Sequence, residues 1–115
     1  MKKLKNMIKL GCKVSVYVPS TTDINIKTDN SEQVAKTAEM LSSKFGGATA
    51  TKALGLWMSD SQGLVREEVT IVYAYCTSEQ LELHADDVVT YCENLRDEMK
   101  QEAVSLEING ELYFI

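Results

Sequence analysis

The chain is poor in the residues that punctuate or staple a protein. It holds one proline, one histidine, one tryptophan and two phenylalanines in 115 residues, with six glycines and three cysteines. So little proline and glycine excludes a collagen-like repeat or a low-complexity linker. A single histidine leaves no ligand pair with the spacing of a zinc site. Cys12, Cys76 and Cys92 are odd in number, widely spaced and without a C-x-x-C, so a disulfide framework is excluded and a reducing, cytoplasmic setting is expected. No run approaches the roughly 18 apolar residues of a membrane span, so no membrane partner is expected. No cofactor or metal is called for. No Ser/His/Asp or Cys/His arrangement is supported by spacing, so no catalytic residue is assigned.

What remains is an ordinary globular composition, 44% hydrophobic and 25% charged, in one domain's length. The net charge of −5 hides a split. Residues 1–13 carry five lysines and no acid; after them the seven remaining basic residues stand against all 17 acids, a net of −10. The chain therefore divides into a basic leader, residues 1–12, and a single acidic domain, residues 13–115. The balance disfavours direct nucleic-acid binding. Lys5 and Lys9 interrupt what would be the apolar stretch of a signal peptide, and Leu10-Gly11-Cys12 lacks the apolar run of a lipoprotein cleavage site.

Hydrophobic periodicity sets the elements. Val14, Val16 and Val18 alternate with Lys13, Ser15 and Tyr17, a half-buried strand ended by Pro19. Ser20–Asn30, polar apart from Ile24 and Ile26, reads as a long loop. Asn30 with Gln33 predicts the cap of a helix whose apolar positions are Val34, Ala38, Leu41 and Phe45, stopped by Gly46-Gly47. Ala48–Met58 reads as a strand with a bulge or close approach at Gly55. After a turn at Ser59–Gly63, Glu67–Cys76 reads as its hairpin partner. Thr77 and Gln80 form a capping box for a second helix with the stripe Leu81, Ala85, Val88, Cys92, Leu95 and Met99. Asn109-Gly110 between Ala103–Ile108 and Glu111–Ile115 is a strong hairpin signal.

This order predicts an α+β fold, a ferredoxin-like βαββαβ antiparallel sheet with both helices on one face and an extra C-terminal hairpin strand. The two-residue turn sets Ile108 opposite Glu111, Leu106 opposite Tyr113 and Val104 opposite Ile115. Leu112 and Phe114 then point to one face and Tyr113 to the other. An edge strand apolar on both sides needs a cover, either a second subunit or the 20–30 loop, and a homo-oligomer is expected with Leu112, Tyr113 and Phe114 at its interface.

The candidate ligand-binding residues are Thr49, Thr51, Trp57, Arg66 and Tyr73. Thr49, Thr51, Gly55 and Trp57 alternate onto the smaller, more polar side of their strand, and Trp57 offers a ring for stacking. Arg66 suits a phosphate, although a surface arginine needs no such role. Tyr17, Tyr73 and Tyr75 on neighbouring strands make an aromatic patch. Phe45–Thr51 invites a phosphate-loop reading, but its glycines follow a helix, whose C-terminus repels anions. Glu67 and Glu68 are adjacent in a strand and face opposite ways. His84 has Asp87 three residues on, without a nucleophile.

Phe45-Gly46-Gly47-Ala48-Thr49, Gly55-Leu56-Trp57, Gly63 through Tyr73 and Gln101-Glu102-Ala103-Val104 together resemble a family of small proteins of bacteria and their phages. The resemblance spans residues 13–115. It implies an α+β fold, and it implies no established activity and no catalytic residue. Three functions fit. The first is a homo-oligomeric protein that binds a small molecule, such as a signalling nucleotide sequestered in phage counter-defence. The second is an acidic inhibitor of a host protein, or a mimic of DNA charge, acting through Glu79, Glu82, Asp86, Glu93 and Asp97. The third is a small dimeric ferredoxin-like enzyme, for which His84 and Glu67 are the only bases at hand.

Overall fold

The computed structural model describes residues 1–22 and 26–115. After a single 3-10 turn in the leader, the elements are β1 (Cys12–Pro19), β2 (Thr21–Thr22), β3 (Ile26–Lys27), α1 (Ser31–Phe45), β4 (Thr49–Ser59), β5 (Gly63–Cys76), α2 (Ser78–Glu98), β6 (Ser105–Ile108) and β7 (Glu111–Phe114). Five strands form one antiparallel sheet in the order β4-β5-β1-β6-β7. The fold is α+β, with both helices packed on one face of this sheet.

The valine alternation of β1 decides which face that is. Val14, Val16 and Val18 have no solvent exposure, and they meet Val72, Ala74 and Cys76 of β5 and Leu106 of β6. From above, α1 contributes Leu41 and Phe45, and α2 contributes Val88, Cys92 and Leu95, with Met99 just past its end. The helices are also tied to each other, since the hydroxyls of Thr37 and Tyr91 lie 2.7 Å apart.

The local signals largely decide the boundaries. The capping box of α2 is complete: Gln80 N donates to Thr77 Oγ1 at 3.1 Å, and Thr77 N donates to Gln80 Oε1 at 2.9 Å. Gly46 ends α1 at φ +93°, where a Cβ would be strained. The terminal hairpin turns on Asn109 and Gly110 at φ +53° and +84°, the two positive angles a type I′ turn requires. Its register pairs Ile108 with Glu111 and Leu106 with Tyr113, and Val104 and Ile115 exchange backbone hydrogen bonds.

Three expectations are corrected. Asn30 stands at the start of α1 but makes no side-chain cap. Its amide instead donates to Pro19 O at 3.0 Å, while Asp29 Oδ1 accepts from Ser31 N at 3.0 Å. The side chain that would cap the helix is used to tie that helix to the end of β1. The segment 20–30 is not wholly loop, because Thr21–Thr22 pairs with Ile26–Lys27; Ile24 lies outside the described residues. And β5 starts at Gly63, not Glu67, pairing with β4 along its whole length from Ser59↔Gly63 to Thr49↔Tyr73. Exposure hid those first rungs from a reading based on burial, since Leu64 and Arg66 lie in water and neither face there is covered.

Because β1 pairs with β5 only from Pro19↔Val69 onward, residues 54–68 project past the sheet as a two-stranded arm. At about 3.3 Å per residue the overhang is roughly 20 Å, and it helps stretch the molecule to 53 Å.

Replacing Thr77 by Ala removes one cap and should cost about 1 kcal/mol in urea unfolding. Leu41→Ala empties a fully buried site and should cost about 2–5 kcal/mol. A ranking in which the cap exceeds the core residue would mean that α2, and not the valine-centred core, limits stability.

Candidate functional site

The face of the sheet away from the helices is the side on which chemistry-bearing residues gather. Alternation assigns it. One row crosses all five strands, Thr49↔Tyr73↔Ser15↔Glu107↔Leu112, by the observed pairings. Along β4 and β5 the same face continues through Thr51, Gly55, Trp57, Ile71 and Glu67, and along β1 through Lys13 and Tyr17. Aromatic groups dominate it. Tyr73 and Tyr75 meet edge to face, centroids 6.0 Å apart at 90°. Lys13 Nζ rests 4.5 Å from the Tyr73 centroid and 5.7 Å from that of Tyr75. Trp57, on the projecting arm, is 53% exposed.

Thr49, Thr51, Trp57 and Tyr73 of the expected ligand-binding set therefore share one surface. Arg66 does not. It pairs with Leu56, and the period of two along a strand sends it to the opposite side of the arm from Trp57. Within one chain it cannot join that patch. Gly55 lies on the open face with no bulge in the register, and the close approach expected there is present: a Cβ would sit 3.3 Å from Glu67 O. Lys13, Ser15, Tyr75 and Glu107 were not singled out as binding residues. Lys13 was counted with the leader's charge, and the row that joins Ser15 to Glu107 exists only once β6 is known to flank β1.

Two grooves lie along the sheet, the first at the edge of this face and the second on the helix side. One, of about 370 Å³, is lined by Leu10, the Phe45–Thr49 turn, Tyr73 and Tyr75. The other, of about 470 Å³, lies at the start of α1 between Lys27, Asp29, Asn30, Lys52 and Glu68. Its charges are mixed, and Lys27 Nζ already stands 3.8 Å from Glu68. The β2–β3 ribbon braces the root of the arm. Thr21 Oγ1 donates to Glu67 Oε1 at 3.1 Å, Ser20 Oγ donates to Glu68 O, and Gln101 Nε2 donates to Thr21 O at 2.8 Å.

The expected bases stand apart from one another. His84 packs edge-on against Phe45 at 5.8 Å. Asp87 faces Lys44 at 3.4 Å and not His84, so the two do not form a relay. Cys76 and Cys92 are no better as nucleophiles: burial pushes the Cys76 thiol up, and pushes Cys92 up to about 12. Among the described residues no group of three His, Cys, Asp or Glu could hold a metal ion, and no helix is long and apolar enough to cross a membrane.

All of β7 is exposed in the single chain: Leu112 is half exposed, Tyr113 nearly so, and Phe114 reaches 75%. The described part of segment 20–30 does not cover it, being bonded to the arm and to Gln101 instead.

No family model matches the chain, and no curated protein does. Among solved structures it is similar to a phage SAM lyase in complex with S-methyl-5′-thioadenosine. The two are 20% identical, with a TM-score of 0.66 over 96% of this chain and 92% of that one. A phage SAM lyase in the apo state is 22% identical, with a TM-score of 0.66 over 95% of this chain and 94% of that one. At these identities the likeness is one of fold, and it runs through nearly every element.

The thiols supply a test of the core. A thiol reagent at about pH 8 should modify Cys12 in the folded protein and Cys92 only after denaturation, read by mass spectrometry. Because Cys92 holds its proton when folded and releases it more easily when unfolded, stability should fall as pH rises from the ordinary thiol value of 9.0 toward about 12. Rapid labelling of Cys92 in the native state would contradict the packing of α2.

Proposed function

We propose that this ferredoxin-like sheet is a small-ligand-binding protein whose ligand is an adenosine carrying sulfur at its 5′ position, bound on the open face of β4, β5 and β1. The observation that carries the reading is the likeness in fold, along almost the whole of both chains, to a phage SAM lyase bound to S-methyl-5′-thioadenosine. The open face suits such a ligand in kind. Trp57 and the tyrosines offer stacking surfaces, Thr49 and Thr51 offer hydroxyls, and the groove of about 370 Å³ beside them matches the lower end of small-molecule sites. Sequestering or cleaving a host adenosine metabolite is a counter-defence role that agrees with the phage resemblance.

The working unit in this reading is a homo-oligomer. Leu112, Tyr113 and Phe114 on β7 and Leu54, Leu56 and Met58 on the arm are exposed apolar groups that a second copy would cover. A site completed by that copy could also bring one chain's Arg66 to another chain's open face.

Calorimetry of the full chain against S-adenosylmethionine, S-methyl-5′-thioadenosine and ATP tests the ligand. Heat from the first two and a change in Trp57 fluorescence are expected, with little response to ATP. Absence of heat from both sulfur-bearing adenosines would reject the reading. Chromatography of the same mixtures separates holding from cleavage, since only cleavage releases S-methyl-5′-thioadenosine from S-adenosylmethionine. Sedimentation should show more than one chain per particle, and Phe114→Lys should shift it toward the monomer.

A further inference from the structure

We infer that Tyr73 and Tyr75 form a sulfonium-recognition surface, on which Lys13 Nζ is an internal stand-in that a ligand's sulfonium displaces. The inference rests on the adenosine reading above for its natural ligand, but the surface itself is argued from the residues.

Lys13 stands directly across from Tyr75 in the β1–β5 ladder, and Tyr73 is its diagonal neighbour. Its ammonium lies 4.5 Å and 5.7 Å from the two ring centroids. Among the described residues no carboxylate comes within salt-bridge distance of it, although the domain is strongly acidic. What meets this cation is the negative face of two rings. Such contacts are weak at partly exposed sites and strengthen as the cation sheds water. An ammonium is strongly hydrated and gives up water reluctantly. A sulfonium carries a permanent positive charge, has no hydrogen to donate and loses little on leaving water, as with the quaternary ammonium groups that aromatic cages select. On the same rings the sulfonium therefore outcompetes the lysine.

The surroundings suit the rest of such a molecule. Tyr73 and Tyr75 form a wall of the groove of about 370 Å³, whose other side is the Phe45–Thr49 turn. Gly46 and Gly47 keep that turn low, with nothing within 4 Å of the place a Cβ would take. In the row of Tyr73, Ser15 Oγ is buried, the residue only 1% exposed, and among the described residues it has no hydrogen-bond partner. Buried hydroxyls rarely stay unpaired. Ser15 follows Lys13 by two residues on the same face of β1, so a ligand that takes the place of Lys13 and reaches this row can satisfy the hydroxyl.

The test compares S-adenosylmethionine with S-adenosylhomocysteine, which lacks only the methyl group and the charge. Calorimetry of the full chain should show the sulfonium binding about threefold to thirtyfold tighter, the range that cation–ring contacts supply. Tyr73→Leu keeps an apolar, strand-compatible side chain and removes the ring; it should erase the preference, the sulfonium losing more affinity than the thioether. Tyr73→Phe keeps the ring and should keep the preference. Lys13→Ala should tighten the sulfonium alone. Equal affinities in the unmodified protein, or a preference that survives Tyr73→Leu combined with Tyr75→Leu, would overturn the inference. Should neither adenosine bind, the adenosine reading fails and the surface is still decided by titrating trimethylsulfonium. Movement of the Tyr73 and Tyr75 ring resonances in NMR supports the surface, and unchanged resonances reject it.

Discussion

Everything in this molecule hangs from the two-sided strand β1. Its valines face the helices and are fully buried, while Lys13, Ser15 and Tyr17 face the other way. Among the described residues it is also the only strand with neighbours of distant sequence on both edges, β5 on one side and β6 on the other. A slip of one residue would put three valines in water and a lysine in the core. At about 1.5–3 kcal/mol for each buried valine, that loss rivals the stability of an entire small domain. The register of β1 is therefore the constraint from which the register of β5, β6 and the helices follows.

One consequence is a division of labour between the two faces. The helices take one face, and they do so with short, fully covered contacts. The other is left to tyrosines, hydroxyls and scattered charge. Ser15 shows the tension at the centre of that face. It is as buried as the valines beside it, yet its hydroxyl finds no partner among the described residues. In a fully covered core such a group would cost on the order of 1–3 kcal/mol. On a face that binds a ligand, as the proposed function has it, the bound molecule would relieve that cost.

Local chemistry explains why much of the fold was legible before the structure. Thr77 with Gln80, Gly46, and Asn109-Gly110 each have one physical use, and each is used that way. The alternations in β1 and β5 gave the faces, and two-residue turn geometry gave the pairing of Leu106 with Tyr113. Asn30 was misread because its amide is spent on Pro19 and Thr70, which only tertiary structure brings near. The early start of β5 was missed because burial patterns vanish where a hairpin leaves the body. The site was less legible still. Thr49, Thr51, Trp57 and Tyr73 could be grouped by counting along strands. Arg66 could not be excluded until the register put it across from Leu56, and Lys13 could not be included until Tyr75 was found opposite it.

The exposed apolar groups set a quantitative condition on any self-association. Bringing two chains together costs an estimated 4–15 kcal/mol in lost freedom. Fully burying a large apolar side chain returns about 1.5–3 kcal/mol, and side chains already half covered return about half of that. Counted from both chains of a pair, Leu112, Tyr113 and Phe114 return about 5–10 kcal/mol, which lies within the range of that cost and not clearly above it. The arm adds Leu54, Leu56, Trp57, Met58 and Leu64, all exposed. An interface that engages both β7 and the arm reaches a larger surplus than one on β7 alone. These two features sit at opposite edges of the sheet, β7 beyond β6 and the arm on β4–β5. A contact joining β7 of one chain to the arm of the next is head-to-tail, and such contacts close into rings or run on as filaments. A ring spends every exposed edge, whereas a simple two-fold dimer built on β7 alone leaves the arm bare. For any self-association, the distribution of apolar surface thus favours a cyclic arrangement whose seams join the β7 edge of one chain to the arm of the next.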